Sequence, residues 1–152
     1  MSPSKVRVAI VMQKSALIDD MLGGLERLPL SSLEAFRAEP RDAAAAESYL
    51  RRALEALLDL GRHLLAKGLG ERALEYKQIA LALRRAGVLD EACAEDLLDM
   101  AGYRNRLTHF YDEVTTAELF DICAHRTGDI RRVREALLDW LRQHPELVDG
   151  DL

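Results

Sequence analysis

The chain has 152 residues, a length that suits one domain with its own hydrophobic core. Hydrophobic residues make up 49% of the chain and aromatic residues only 5%, with Ala and Leu abundant, so the composition favours helices over strands and predicts an all-α protein. The formal net charge of −5 excludes a generally basic nucleic-acid coat protein, so a nucleic-acid substrate would need a local basic patch.

Apolar residues at helical spacing predict seven helices along the chain. In chain order we expect them over 4–27, 32–36, 40–68, 71–85, 90–109, 115–125 and 130–141. The sequence has no internal repeat, linker or low-complexity tract. Residues 1–145 are therefore predicted to form a single-domain antiparallel helical bundle with short connections.

Residues that start and stop helices set several of these bounds. Asp90 is the expected N-cap of the fifth helix, and Thr115 with Glu118 is expected to form a capping box at the sixth. Gly128 is expected to separate the sixth helix from the last helix. Residues 146–152 are expected to be a frayed C-terminal tail.

Cys93 and Cys123 lack the spacing of a metal or redox motif, and we interpret them as small core residues in a reducing compartment. The apolar run over 8–12 is too short for a signal peptide or a membrane span. Carboxylates are not clustered as a two-metal site requires. The sequence therefore predicts a cytoplasmic protein with no membrane association, no metal site and no cofactor.

The end of the fifth helix carries polar side chains where the preceding pattern predicts core. Leu97 and Ala101 mark an apolar stripe that continues in steps of four to Asn105 and His109. Polar groups on an apolar face cost free energy unless they are paired or used. Arg104 lies about 100° around the helix from Asn105, at one edge of this stripe. The Arg104 guanidinium and the His109 imidazole can therefore reach into a shared cleft at one side of the helix.

Two interpretations of this helix end remain open. Asn105 and His109 can bond the open carbonyls of the helix end or bridge to the next helix. Alternatively they act on a substrate, because a histidine exchanges protons near neutral pH. Basic patches are possible at Arg104 with Arg106, and on the last helix, where we interpret the arginines as a solvated face. That second run consists of Arg126, Arg131, Arg132 and Arg134.

The segment Arg-Asn-Arg-Leu-Thr-His-Phe-Tyr at 104–111 resembles the signature of the HEPN superfamily, in which Arg, four residues, His, one residue and Tyr follow one another. Arg104, His109 and Tyr111 fill that pattern, and Asn105 matches its commonly polar second position. The chain is also similar to the HepT-like branch in its helix order. Two further similarities are the stretch 76–89, which ends Gly-Val-Leu, and the Thr-Thr-x-Glu at 115–118 after the motif. Members of that branch are toxins of prokaryotic toxin–antitoxin pairs, and the resemblance covers nearly the whole chain.

The resemblance implies an all-α HEPN-like bundle that forms a homodimer with its active site at the dimer interface. It implies a metal-independent endoribonuclease that cleaves RNA as the toxin of a type VII toxin–antitoxin pair. The implied partner is a minimal, MntA-like nucleotidyltransferase antitoxin. In some systems this partner attaches AMP to the motif tyrosine, here Tyr111.

Metal-free cleavage of RNA by its own 2′-hydroxyl needs a base, an acid and a cation. Two copies of His109 facing each other across a two-fold axis would supply the base and the acid, and Arg104 from each side would hold the phosphate. Asn105 would orient the histidine or bond a phosphate oxygen, and Tyr111 would bond substrate near the cleft mouth. The alternative function is a catalytically silent HEPN binding module that partners a nucleotidyltransferase. A third interpretation is a purely structural helical dimer, in which the polar motif only ties the interface.

Overall fold

The computed structural model describes residues 4–73 and 75–152, and within them the chain forms seven α-helices, as predicted. In chain order they are α1 (Val8–Glu26), α2 (Leu33–Arg37), α3 (Pro40–His63), α4 (Tyr76–Arg85), α5 (Glu91–His109), α6 (Thr116–His125) and α7 (Thr127–Arg142). A π-helical turn (Leu64–Gly68) extends α3, and short 3-10 turns (Tyr111–Glu113 and Pro145–Leu147) follow α5 and α7. Each described helix is too short or too polar to cross a lipid bilayer.

The long helix α3 lies at the centre of the bundle. Its apolar residues are buried on more than one side, and Leu50, Leu57 and Leu60 are fully enclosed. Helix α1 packs along it so closely that a Cβ added at Gly24 would lie 2.5 Å from the ring of Tyr49. A side chain larger than a hydrogen atom at residue 24 would therefore clash with Tyr49. Helices α5, α6 and α7 cover other parts of α3.

Two predicted helix caps are present, one of them only in half. The Asp90 carboxylate accepts a hydrogen bond from the Cys93 N–H at 2.8 Å, as expected for an N-cap. At α6, the Thr115 hydroxyl accepts from the Glu118 N–H at 3.1 Å. The Glu118 carboxylate does not return to the cap but binds Arg106 on α5 at 2.5 Å, so the predicted capping box is only half formed.

Two predicted bounds are wrong because local backbone geometry overrides the apolar pattern. Helix α4 begins at Tyr76 rather than at residue 71, since Gly70 adopts the left-handed conformation (φ 65°) and the Glu75 N–H is capped by the Gln78 side chain at 3.1 Å. Gly128 does not separate the last two helices. The break between α6 and α7 falls at Arg126, and Gly128 lies inside α7.

The C-terminal tail, which the sequence predicts to fray over 146–152, is hydrogen-bonded to the start of the chain at residues 147–149. Val6 donates its N–H to the Leu147 carbonyl at 2.7 Å, and the Asp149 N–H donates to the Val6 carbonyl at 2.9 Å. The Asp149 side chain accepts from the Val8 N–H at 2.8 Å and so caps α1. Helix α1 consequently starts at Val8 rather than at Ser4.

His63 provides a second cap for α1. Its Nε2 accepts the Arg7 N–H at 3.0 Å, which requires the neutral ring. Burial lowers the pKa of His63, and the positive charges of Lys67 and Arg7 lower it further. His63 therefore has a structural role at the start of α1.

Candidate active site

Helix α5 places Arg104, Asn105 and His109 around one open cleft of about 530 Å³. The end of α3 and the start of α4 form the opposite wall. The cleft is lined by Arg62, Glu75, Tyr76, Arg104, Asn105, His109 and Phe110. The prediction that the guanidinium and the imidazole of the motif share a cleft is therefore met by the geometry.

The buried stripe of α5 takes a different path from the predicted one. It runs through Leu97 and Ala101 to Leu107, whereas His109 is exposed and Asn105 is half-buried. The stripe shifts because a helix repeats every 3.6 residues, so steps of four drift off the buried face. Arg104 lies closer to this face than His109 does.

Arg104 is held by three neighbours. Its side chain is only 20% exposed, and its Nη2 lies 3.7 Å from a carboxylate oxygen of Glu55 on α3. Its Nη1 donates to the Asn105 side-chain oxygen at 3.3 Å, and its Cζ lies 4.7 Å from the ring centroid of Tyr76. Its Nε is buried and meets no hydrogen-bond acceptor among the described residues.

Tyr76 lies beneath two guanidinium groups. The Cζ of Arg62 is 5.0 Å from the ring centroid, close to the distance that Arg104 keeps. The phenol donates a hydrogen bond to Asp59 at 3.0 Å. Burial, together with the adjacent Asp59 carboxylate, raises the pKa of Tyr76 to about 12, so the hydroxyl keeps its proton at neutral pH.

The carboxylates behind this wall come from α3. Glu55 also binds Arg51 at 2.6 Å, and Asp59 binds Arg62 at 3.3 Å and Lys14 at 3.7 Å. Sequence reasoning missed this contribution. The available signal was the spacing of 55, 59 and 62, which puts two acids and an arginine on one helix face.

His109 is the last residue of α5, and its ring meets the Phe110 ring edge-on with centroids 6.4 Å apart. Phe110 is 56% exposed, which is unusual for a large apolar side chain and leaves an aromatic face at the edge of the cleft. The backbone of Tyr111 begins the following 3-10 turn, and its side chain lies outside the described part of the structure.

Other arginines considered from the sequence do not belong to the cleft. Arg106 binds the Glu118 carboxylate with both terminal nitrogens, at 2.5 and 3.0 Å. Arg126 and the arginines of α7 are paired with acids, but Arg134 is buried, with its side chain only 10% exposed, so the predicted solvated face is wrong for this residue. The pairs are Arg126 with Asp129, Arg131 with Glu26, Arg132 with Asp96 and Asp129, and Arg134 with Asp19. Across 4–73 and 75–152, no group of three or more His, Cys, Asp or Glu side chains is placed to hold a metal ion.

Comparisons with known proteins agree on one fold and one family. The sequence model of the family described as ribonuclease HepT-like matches residues 18–137. The tRNA nuclease HepT of Aphanizomenon flos-aquae (strain 2012/KM1/D3) is 22% identical over 117 residues, which cover 77% of this chain and 80% of that protein.

Two solved structures of toxin–antitoxin systems share the fold. A toxin–antitoxin crystal structure with AMP-PNP matches with a TM-score of 0.78 at 16% identity, over 86% of this chain and 98% of that chain. The tri-AMPylated HEPN toxin of Shewanella oneidensis, in complex with MNT antitoxin, matches with a TM-score of 0.77 at 17% identity, over 86% and 97%. The helical bundle is thus the HEPN fold.

Proposed function

This chain belongs to the ribonuclease HepT-like family, and from that premise we propose that it is a metal-independent endoribonuclease, the toxin of a type VII toxin–antitoxin pair. The observation that carries the proposal is the common cleft of Arg104, Asn105 and His109. It brings a permanent cation and an exposed imidazole to one open space large enough for a nucleotide. The expected place of action is the cytoplasm, where RNA is available.

The chemistry proceeds by attack of the RNA 2′-hydroxyl oxygen on the adjacent phosphorus. One imidazole removes the 2′ proton, and a second protonates the 5′ oxygen as the P–O5′ bond breaks, which leaves a 2′,3′-cyclic phosphate and a 5′-hydroxyl. Arg104 stabilises the charge that develops on the phosphorane oxygens. Asn105, bonded to Arg104 in the free protein, is close enough to orient the guanidinium or to bond a phosphate oxygen.

A homodimer supplies the second imidazole. The cleft of one subunit has one histidine, His109, on its open side, and a two-fold axis beside it brings His109 of the partner subunit to the same phosphate. A partner subunit packed at this edge of the cleft would also cover the exposed aromatic face of Phe110. We therefore propose that the active site is completed at the dimer interface.

The proposed antitoxin is a minimal, MntA-like nucleotidyltransferase that attaches AMP to Tyr111. Support comes from the Shewanella oneidensis relative, described as an AMPylated toxin in complex with an MNT antitoxin. Tyr111 follows His109 by two residues. AMP at that position adds bulk and negative charge beside the cleft, and both oppose the entry of an RNA phosphate.

RNA cleavage by purified protein, with and without a chelator, tests this proposal. We expect the wild type to cleave RNA equally well with chelator, and Arg104→Ala and His109→Ala to lose about 10²-fold or more of the activity. Arg106→Ala is the matched control, because it removes the same charge from the same helix but its partner Glu118 lies outside the cleft. Loss of activity with chelator, or wild-type rates for His109→Ala, would contradict the proposal.

One observation favours a second function. Glu55 lies 3.7 Å from Arg104, so a carboxylate of α3 already faces the guanidinium and competes with a phosphate for it. That arrangement suits a catalytically silent HEPN module that serves only as the partner of a nucleotidyltransferase. A wild-type protein that binds the nucleotidyltransferase and is AMPylated, yet never cleaves RNA, would support this alternative.

A further inference from the structure

Tyr76 supports the catalytic arginine from outside the motif. It lies at the start of α4, a different helix from the one that carries Arg104, and its ring centroid is 4.7 Å from the guanidinium carbon. A cation over an aromatic face is attracted by the ring quadrupole. The ring itself is fixed, because its hydroxyl is bonded to Asp59 on α3 at 3.0 Å.

The geometry of stacking leaves the arginine free to act. A guanidinium stacks through its planar face, while its N–H donors lie in the plane and point outward. The contact with Tyr76 can therefore persist when Arg104 binds a phosphate. Glu55, whose carboxylate lies 3.7 Å from Nη2 of Arg104, competes with a phosphate for the same N–H donors. Phosphate binding therefore has to displace Glu55 or share these donors with it.

We propose that Tyr76 is a positioning residue for the ribonuclease reaction, whose ring holds the Arg104 guanidinium in the cleft while Asp59 fixes the ring through the hydroxyl. This inference rests on the proposed function. Without the Tyr76 ring, the substrate alone has to order the long and flexible Arg104 side chain, which costs conformational entropy in the transition state. The loss therefore falls mainly on kcat.

The kinetic test compares Tyr76→Leu, which removes the aromatic face, with Tyr76→Phe, which keeps it. We expect Tyr76→Leu to lower kcat about 3- to 30-fold while KM changes less, and Tyr76→Phe, which keeps the ring but loses its bond to Asp59, to lose clearly less than Tyr76→Leu. In an Arg104→Ala background, Tyr76→Leu should have no further effect on residual cleavage. In an Arg62→Gln background its effect should persist, because the ring acts through Arg104.

Three kinetic results would overturn the inference. These are a kcat for Tyr76→Leu within twofold of the wild type, an equal loss for Tyr76→Phe, or a full further loss in the Arg104→Ala background. Circular dichroism and thermal melting of each variant separate these results from unfolding.

A second measurement does not depend on activity. A guanidinium stacked on a phenol ring shows an upfield ring-current shift of its Nε–H proton in NMR spectra. We expect this shift for Arg104 in the wild type and in Tyr76→Phe, and its loss in Tyr76→Leu. An unshifted Arg104 signal in the wild type overturns the inference even if RNA is cleaved. A shifted signal in a protein that cleaves no RNA overturns the proposed function, and with it the catalytic consequence of Tyr76, while the stacking itself stands.

Discussion

The salt dependence of RNA binding distinguishes the cleft from the arginine-rich helix α7. The cleft presents two arginines in each subunit, Arg62 and Arg104, or about four in the proposed dimer. Each phosphate contact on a single strand contributes about −0.7 to the slope of log K against log salt, so the expected slope is about −3. The α7 arginines, for example Arg131, which is paired with Glu26, lie outside the cleft and should add nothing to this slope.

The assay measures the affinity of a labelled single-stranded RNA for His109→Ala protein by fluorescence anisotropy between about 50 and 200 mM salt. Adding Arg104→Ala should flatten the slope to about −1.5, because two contacts are lost per dimer. Adding Arg131→Gln, the matched control, should leave it unchanged. If Arg131→Gln flattens the slope as much as Arg104→Ala does, α7 binds the RNA, which contradicts binding through the cleft.

Three further outcomes follow from the structure. His63 has a lowered pKa and accepts the Arg7 N–H only when neutral, so this stabilisation is complete above its ordinary value of 6.5 and is lost as the pH falls toward the lowered folded-state pKa. In thermal melts, His63→Gln, which accepts but does not titrate, should lose less stability on acidification than the wild type, and equal losses would contradict this. Asp149→Ala removes the cap on Val8 and should cost about 1 kcal/mol, or about 2–4 °C in Tm by calorimetry, whereas an unchanged Tm would mean that the tail contributes nothing. Tyr111→Phe should show no AMP mass shift after incubation with the nucleotidyltransferase and ATP, and a persistent shift would place the modification elsewhere.

Helical periodicity and capping chemistry made most of the fold predictable. A short polar N-cap before an apolar repeat is a local signal, so Asp90 and Thr115 marked the starts of α5 and α6 correctly. The start of α1 has no such local signal. It depends on Asp149 and on His63, which lie far away along the chain and come close only after folding.

The candidate site was predictable on one helix only. The spacing of Arg104, Asn105 and His109 is a property of α5, so their approach to one cleft could be read from the sequence. The opposite wall comes from α3 and α4, and the partners Glu55 and Tyr76 meet Arg104 through packing between helices. Periodicity says which face of a helix is polar but not which helix that face meets.

The proposed two-histidine mechanism is tested most directly by mixed dimers. Wild-type and His109→Ala chains, unfolded and refolded together so that subunits pair at random, should cleave RNA in proportion to the square of the wild-type fraction, because only dimers with two imidazoles are active. At equal amounts we expect about one quarter of the activity of the all-wild-type sample. Activity of about one half, in direct proportion to the wild-type fraction, would contradict it, because each subunit would then cleave RNA with its own single histidine.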